Sequence, residues 1–254
     1  MALDSKKIFQ YLSEECNLIV LDTHQSSNEF LKEHEASDSI DVCVVKKQLS
    51  GNGQHGRKWI SHEGESITFS IRIKFPSERS IEGLSVYTGV SLIQCLEELG
   101  IKDAKLKWPN DILINNNKLS GVLIENIVYG SDAYLVIGIG INYDLNKNAK
   151  INIPWTNLCE HNDTLDINKY TGLLINRIIR DTKLFLSQNK AFNKNSFEKF
   201  DYLKGKFLDV NFKGKIIYVS AIGVNSDGAL LVNDDGNIKE VVSSKDVIKI
   251  YGYN

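Results

Sequence analysis

The segment Gly51-Asn52-Gly53-Gln54-His55-Gly56 follows an apolar run, Val42-Cys43-Val44-Val45, and fits G-x-G-x-x-G letter for letter. A dinucleotide-binding βαβ unit needs the third glycine to open a helix, whose N-terminus then holds a pyrophosphate. The continuation Arg57-Lys58-Trp59-Ile60-Ser61-His62, followed by a run with strand spacing, offers no amphipathic helix. A doubly wound parallel sheet is therefore disfavoured, and the glycines read instead as a flexible polar loop. Such a loop has exposed backbone N–H groups, two cations for phosphate oxygens (Arg57, Lys58) and an indole, Trp59, able to cover a base. It equally fits a surface loop pinned to the core by Trp59.

Around that loop, helix and strand patterns mix. Residues 5–15 suit a short amphipathic helix, residues 18–21 a strand, and Ser26-Ser27-Asn28 a helix start. Residues 66–75 alternate apolar and polar side chains, as a strand does. Residues 80–99 carry helical spacing and stop at Gly100, and residues 167–186 return to it. Between those helices lie three strand candidates, 112–114, 119–128 and 134–142, the first two joined by Asn115-Asn116-Asn117. Residues 151–164 read as irregular. From Gly205 onward only short strands (207–212, 216–224, 229–232, 238–242) and glycine turns remain. The expectation is an α+β fold: a domain over 1–202, then a small all-β barrel over 203–254.

Charge and cysteines narrow the class. The 254 residues hold 30 Lys+Arg against 32 Asp+Glu, a net charge of −2, which argues against a broadly basic nucleic-acid or membrane surface. The four cysteines are scattered, with no metal-type or disulfide-type spacing, which fits free thiols in a reducing compartment. The start, Met1-Ala2-Leu3-Asp4, lacks the apolar stretch of a secretory signal, so a cytoplasmic location is expected.

Three further segments carry chemistry-bearing side chains. Lys107-Trp108-Pro109-Asn110-Asp111 precedes a strand; Pro109 forbids a helix interior, and Asn110-Asp111 suits a turn or a sheet-mouth cation–carboxylate pair. Lys118-Leu119-Ser120-Gly121-Val122-Leu123-Ile124-Glu125 sets a lysine at a hairpin's second strand, with Gly121 allowing close approach. Gly138-Ile139-Gly140-Ile141-Asn142 ends an apolar strand. Each alone reads as ordinary structure.

Their order does not. The series S-S-N, G-x-G-x-x-G-R-K-W, K-W-P-N-D, K-L-S-G-V-L-I-E and G-I-G-I-N resembles the biotin–protein ligase family from about Leu21 to Ile250. The tail, Lys199-Phe200-Asp201-Tyr202-Leu203-Lys204-Gly205 and Gly228-Ala229-Leu230, is similar to that family's SH3-like C-terminal domain. The resemblance implies a catalytic domain of the biotin/lipoate ligase, class II synthetase-like type, with a mixed sheet and flanking helices. It implies ATP-dependent conversion of biotin to biotinyl-5′-AMP, with Mg²⁺ accompanying ATP, and transfer to one lysine of a biotin carboxyl carrier protein of acetyl-CoA carboxylase.

Carried over residue by residue, the pattern assigns Arg57 to the biotin carboxylate and phosphates, and Lys118 to the reacting carboxyl and phosphate. Lys107 and Asp111 complete the catalytic set, Asp111 orienting an amine or metal-bound water. Trp59, Asn110 and Asn142, with Arg57, would hold ATP. Ser26, Ser27, Asn28, Gln48, Asn52, Gly53, Gln54, Lys118 and Gly121 would hold biotin, whose neutral ureido ring needs donors and acceptors rather than charge. No protein motif fixes a metal.

The family loop reads G-R-G-R-x-G-R, and here Asn52 and Gln54 replace two arginines. Each loss removes a charge-assisted hydrogen bond of about 1.5–3 kcal/mol. Weaker retention of the adenylate follows, unless Lys46, Lys47, His55 or Lys58 compensates. Gln25 stands where an acidic residue is common, and Ser27 where Thr is usual. Residues 51–65 are expected to be mobile until ligand closes them. Only ~20 residues precede the first matched strand, too few for a three-helix DNA-binding head, so no DNA partner is expected. A monomer or weak homodimer is expected. The alternatives are a lipoate or octanoate ligase or transferase on the same fold, and a non-catalytic biotin or nucleotide binder.

Overall fold

The structure is a computed structural model and describes residues 3–129, 132–149, 151–162, 166–188 and 194–252; Met1, Ala2 and the 163–164 end of the irregular stretch lie outside them. In chain order come α1 (Ser5–Phe9), β1 (Asn17–His24), α2 (Ser27–Glu33), β2 (Asp41–Gln48), the short pair β3 (Gly51–Asn52) and β4 (Lys58–Trp59), and β5 (Ser66–Phe75). Then follow α3 (Leu84–Glu98), β6 (Lys105–Lys107), β7 (Asp111–Ile114), β8 (Asn117–Tyr129), β9 (Asp132–Asn142), α4 (Ile167–Ser187) and α5 (Lys194–Glu198). The C-terminal strands are β10 (Phe207–Phe212), β11 (Lys215–Val224), β12 (Leu230–Asp234), β13 (Asn237–Val241) and β14 (Val247–Ile250).

Seven strands form a mixed sheet in the order β1-β2-β5-β9-β8-β7-β6, with only β1 and β2 parallel. On one face α3 and α4 pack over the main core, which Ile67, Phe69, Ile71, Leu92, Leu96, Ile137, Ile139, Leu174 and Ile178 help to fill. On the other face α2 covers β2, β5 and β9 over a second cluster, Leu31, Cys43, Val45 and Val136. The period of two in β2 therefore feeds both cores: Val42 and Val44 to one, Cys43 and Val45 to the other.

In β5 the polar alternates Ser66, Thr68, Ser70 and Arg72 are all buried, because α2 and the segment after it roof that face. Arg72 is 1% exposed and meets its burial cost by donating to the carbonyls of Leu31, His34 and Glu35 and pairing with Asp41 at 2.6 Å.

Helix α1 ends at Phe9, short of the expected residue 15. Beyond it the Asn176 side chain accepts from the backbone N–H of Ser13 and Glu14 and donates to the Tyr11 carbonyl. Those bonds replace helical ones and lay the segment on α4. Helix α3 begins at Leu84 instead of residue 80, because Gly83 takes a left-handed φ of 77° at its cap. The 115–116 turn does have left-handed backbone, φ 49° at Asn115 and 66° at Asn116.

The last five strands make an antiparallel SH3-like sheet in the order β13-β12-β11-β10-β14. The chain is thus α+β, with a mixed sheet, flanking helices and a C-terminal SH3-like unit. Two backbone hydrogen bonds lay the connection on the free edge of β6: Leu106 N–H to Phe200 O at 2.7 Å, and Tyr202 N–H to Leu106 O at 3.0 Å. No helix among the described residues is long and apolar enough to cross a membrane.

Candidate active site

A cleft of about 410 Å³ opens where the ends of the central strands, the glycine loop and the C-terminal sheet meet. One end is neutral and polar. Ser26 caps α2, its hydroxyl accepting from Asn28 N–H at 3.2 Å, so Ser27 and Asn28 stand at the cleft wall. Gln48, at the end of β2, accepts the Ser27 backbone N–H at 2.7 Å. Buried Ser70 contacts Ser27 Oγ at 2.7 Å and Asn28 Oδ1 at 2.5 Å. Asn28 lies against Gly138, where an added Cβ would stand 2.2 Å from its oxygen. That glycine is required by the site.

The other end is cationic. Lys107 closes β6 and Asp111 opens β7 opposite it, across a turn with a cis Trp108–Pro109 peptide. Asp111 pairs with Lys118 at 2.5 Å, both side chains less than a fifth exposed. Among the described residues Asp111 is the single carboxylate on the wall, against the cations Arg57, Lys58, Lys107 and Lys118. Burial makes the Lys107 ammonium give up its proton more readily than a lysine usually does. Asp111 opposes that shift, while Lys118 and Arg57 add to it. The backbone of Lys118 is fixed from behind: its N–H donates to Pro154 O, and its carbonyl accepts from Thr156 N–H and from Asn142 Nδ2. Beside the ion pair, Gly121 leaves open space; a methyl there would meet Lys118 Nζ at 3.5 Å and Asp111 Oδ1 at 3.6 Å.

The glycine loop roofs the cleft as a small hairpin in which Gly51 faces Trp59 and Asn52 faces Lys58. Its tip turns through His55, at φ 60°, and is tied by Gly53 N–H to Arg57 O at 2.7 Å. The Trp59 ring lies on Gly140, where a Cβ would overlap it, and its Nε1 is buried with no hydrogen-bond partner among the described residues. Lys118 Nζ stands 5.7 Å from the same ring. The C-terminal sheet supplies the outer rim with Ser244, Val247 and Ile250, and His55 Nε2 meets Ser244 Oγ at 2.7 Å.

The cleft thus gathers Ser26, Ser27, Asn28, Gln48, Asn52, Gly53, Gln54, Arg57, Trp59, Lys107, Asn110, Asp111, Lys118 and Gly121, drawn from positions nearly a hundred residues apart. Asn142 is not on its wall; the Asn142 amide is spent on the carbonyls of Lys118 and Thr156. Of the proposed substitutes for the missing arginines, His55 and Lys58 line the cleft, whereas Lys46 and Lys47 do not, and Lys46 pairs with Asp22 at 2.7 Å.

A model of the "Biotin/lipoate A/B protein ligase family" matches residues 20–142, the stretch that holds both ends of the cleft. The bifunctional ligase/repressor BirA of Escherichia coli is 31% identical over 243 residues, covering 93% of this chain and 75% of that protein. The chain belongs to the biotin–protein ligase family. Among solved ligases of this family, that from Aquifex aeolicus, in complex with biotin and ATP, is similar with a TM-score of 0.77 and 28% identity, over 92% of this chain and 98% of that one. A biotin–[acetyl-CoA-carboxylase] ligase of Mycobacterium tuberculosis is 28% identical over 131 residues, 49% of this chain and 48% of that protein.

For a biotin–protein ligase, motif reading missed the rim residues Leu203, Ser244, Val247 and Ile250. They sit in short strands and turns whose local pattern says nothing about what they face. It also passed over Ser70, although a serine alternating with Phe69 and Ile71 in a strand was a visible signal.

Proposed function

We infer that the protein activates biotin with ATP, forming biotinyl-5′-AMP and pyrophosphate, and then transfers biotin to a lysine of a biotin carboxyl carrier protein. The observation that carries this reading is the division of one cleft into a neutral hydrogen-bonding end and a cationic end, with Lys118 and Asp111 paired at their boundary. A ureido ring suits Ser27, Asn28 and Gln48, which offer polarity without charge. Attack of the biotin carboxylate on the α-phosphate brings negative groups together, and Arg57, Lys107 and Lys118 offset that repulsion. Lys118 can leave Asp111 for the reacting oxygens, which frees Asp111 to orient the incoming amine. Trp59, Asn110 and Asn142 are assigned to the nucleotide, Asn142 through its hold on Lys118. Asn52, Gly53, Gln54, Ser26 and Gly121 border the biotin end.

Magnesium enters with ATP as the substrate complex. A single wall carboxylate fits an ion held chiefly by phosphates and water, the usual manner of Mg²⁺ in nucleotide sites. We assign residues 1–202 to the catalytic unit and 203–254 to the SH3-like unit, and take the protein to act in the cytoplasm without DNA, as a monomer or weak homodimer. The biotin carboxyl carrier protein of acetyl-CoA carboxylase is the expected acceptor.

Biotin-dependent exchange between ATP and pyrophosphate, followed by labelling of a carrier domain, tests the reading. Exchange with lipoate in place of biotin would assign the other branch of the family. Biotin binding without exchange would make the protein a binder.

A further inference from the structure

The polar end of the cleft continues behind its wall as a chain of hydrogen bonds, and the protons in that chain can be counted. Two contacts fix its ends. Glu125 Oε1 is paired with Lys32 at 2.8 Å, and its Oε2 takes Asn28 Nδ2 at 2.7 Å. A carboxylate held by a lysine only accepts, so the Asn28 amide cannot be turned over, and its oxygen faces Ser70. At the other end Gln48 Oε1 is fixed as an acceptor by the Ser27 backbone N–H at 2.7 Å.

Between these two acceptors stand two hydroxyls with two protons and three contacts to fill: Ser70 to Asn28 Oδ1 at 2.5 Å, Ser70 to Ser27 at 2.7 Å, and Ser27 to Gln48 Oε1 at 3.2 Å. Lone pairs cannot face each other at the two short distances. The Ser70 proton therefore goes to Asn28 and the Ser27 proton to Ser70, and the longest contact is the one left without a proton.

We propose that Glu125, acting through Asn28 and Ser70, makes the Ser27 hydroxyl a pure acceptor toward the cleft, so that the site selects a ligand presenting an N–H there. This rests on the biotin reading above, and it names Glu125 and Ser70 as positioning residues that set specificity. Neither lines the cleft. Under this arrangement a ureido N–H is accepted, and an isosteric ring oxygen meets a lone pair. A mismatch of that kind costs about tenfold or more in affinity.

The test is calorimetric binding, without ATP, of biotin and of the two cyclic-carbamate analogues in which one or the other ureido N–H becomes a ring oxygen. The natural protein should bind biotin and reject one analogue by about tenfold or more, which marks the N–H that Ser27 accepts. In Glu125→Gln the residue can donate, Asn28 can turn over, and the preference should fall to within about threefold. Ser70→Ala removes the acceptor of the Ser27 proton, which then divides between Gln48 Oε1 at 3.2 Å and the cleft, and should weaken the preference by a separate route. Lys32→Met keeps an acceptor-only carboxylate and should keep the preference, which a merely structural role for the ion pair would not allow.

Retained preference in both Glu125→Gln and Ser70→Ala, equal loss in Lys32→Met, or no preference in the natural protein would overturn the proposal while leaving the biotin reading intact. Failure of the natural protein to bind biotin would instead strike that reading.

Discussion

The indole N–H of Trp108 donates to the carbonyl of Gly228 across 2.7 Å, and both groups are buried. One belongs to the turn that carries Lys107 and Asp111, the other to the β11–β12 turn of the C-terminal sheet. Gly228 has a φ of 75°, and a Cβ there would stand 2.6 Å from the Gly83 Cα. Gly228→Ala should lower stability by about 2 kcal/mol or more, from left-handed strain and backbone overlap together, read as a lower urea midpoint. Trp108→Phe should cost about 2 kcal/mol, from the lost bond, the unsatisfied Gly228 carbonyl and the space left by the smaller ring.

Lys118→Met removes the cation at the cleft boundary and the 2.5 Å partner of Asp111. Biotin-dependent pyrophosphate exchange should fall by about a hundredfold or more, as for loss of one group that stabilises developing charge. Biotin binding measured without ATP should change far less, and an equal loss in both would assign Lys118 to binding alone.

Lys107 titrates below the usual lysine range because it is buried. Its charged form is the one that attracts phosphates, so KM for ATP should rise at an alkaline pH lower than an ordinary lysine would give. In Lys107→Arg the charge persists, and that alkaline limb should disappear from the pH profile. An unchanged limb would place the titration elsewhere.

Gln54→Arg restores one of the two loop arginines that the family pattern carries. The adenylate should then leave the enzyme about tenfold more slowly or better, the worth of one charge-assisted bond. Single-turnover release of labelled biotinyl-5′-AMP checks it. Equal rates would mean that His55, Lys58 or the contact with Ser244 already does that work.

Arg72→Met leaves the buried Asp41 without its cation, with only Asn17 and Ser37 as hydrogen-bond donors among the described residues, and three carbonyls without their donor. A loss of about 3–5 kcal/mol is expected in denaturant titration. Changing Arg72 and Asp41 together to apolar residues should recover part of it.

The longer strands and helices of the first two hundred residues were legible because each segment's period matches its environment: α4 is amphipathic, and β2 and β9 carry continuous apolar runs. Strands β6 and β14 were not, since Lys105-Leu106-Lys107 and Val247-Ile248-Lys249-Ile250 are too short to show a period, and their strand pairing and the packing of Leu106, Val247 and Ile250 on the core hold them. The chemistry at the cleft was legible because lysine, aspartate and glycine motifs keep their order. What faces the cleft from the C-terminal sheet was not, because Ser244, Val247 and Ile250 carry no chemical signature and gain meaning only through tertiary contact. The role of Asn142 differs for a related reason: a side-chain amide at a strand end can face a ligand or a neighbouring carbonyl, and only the arrival of the 154–156 segment decides.

The contact of His55 with Ser244 joins residues 189 positions apart. The roof of the cleft is thus braced by a part of the chain that is synthesised long after Lys118. Until Ser244, Val247 and Ile250 have been made, the cleft has its cations and its neutral polar wall but lacks its outer rim.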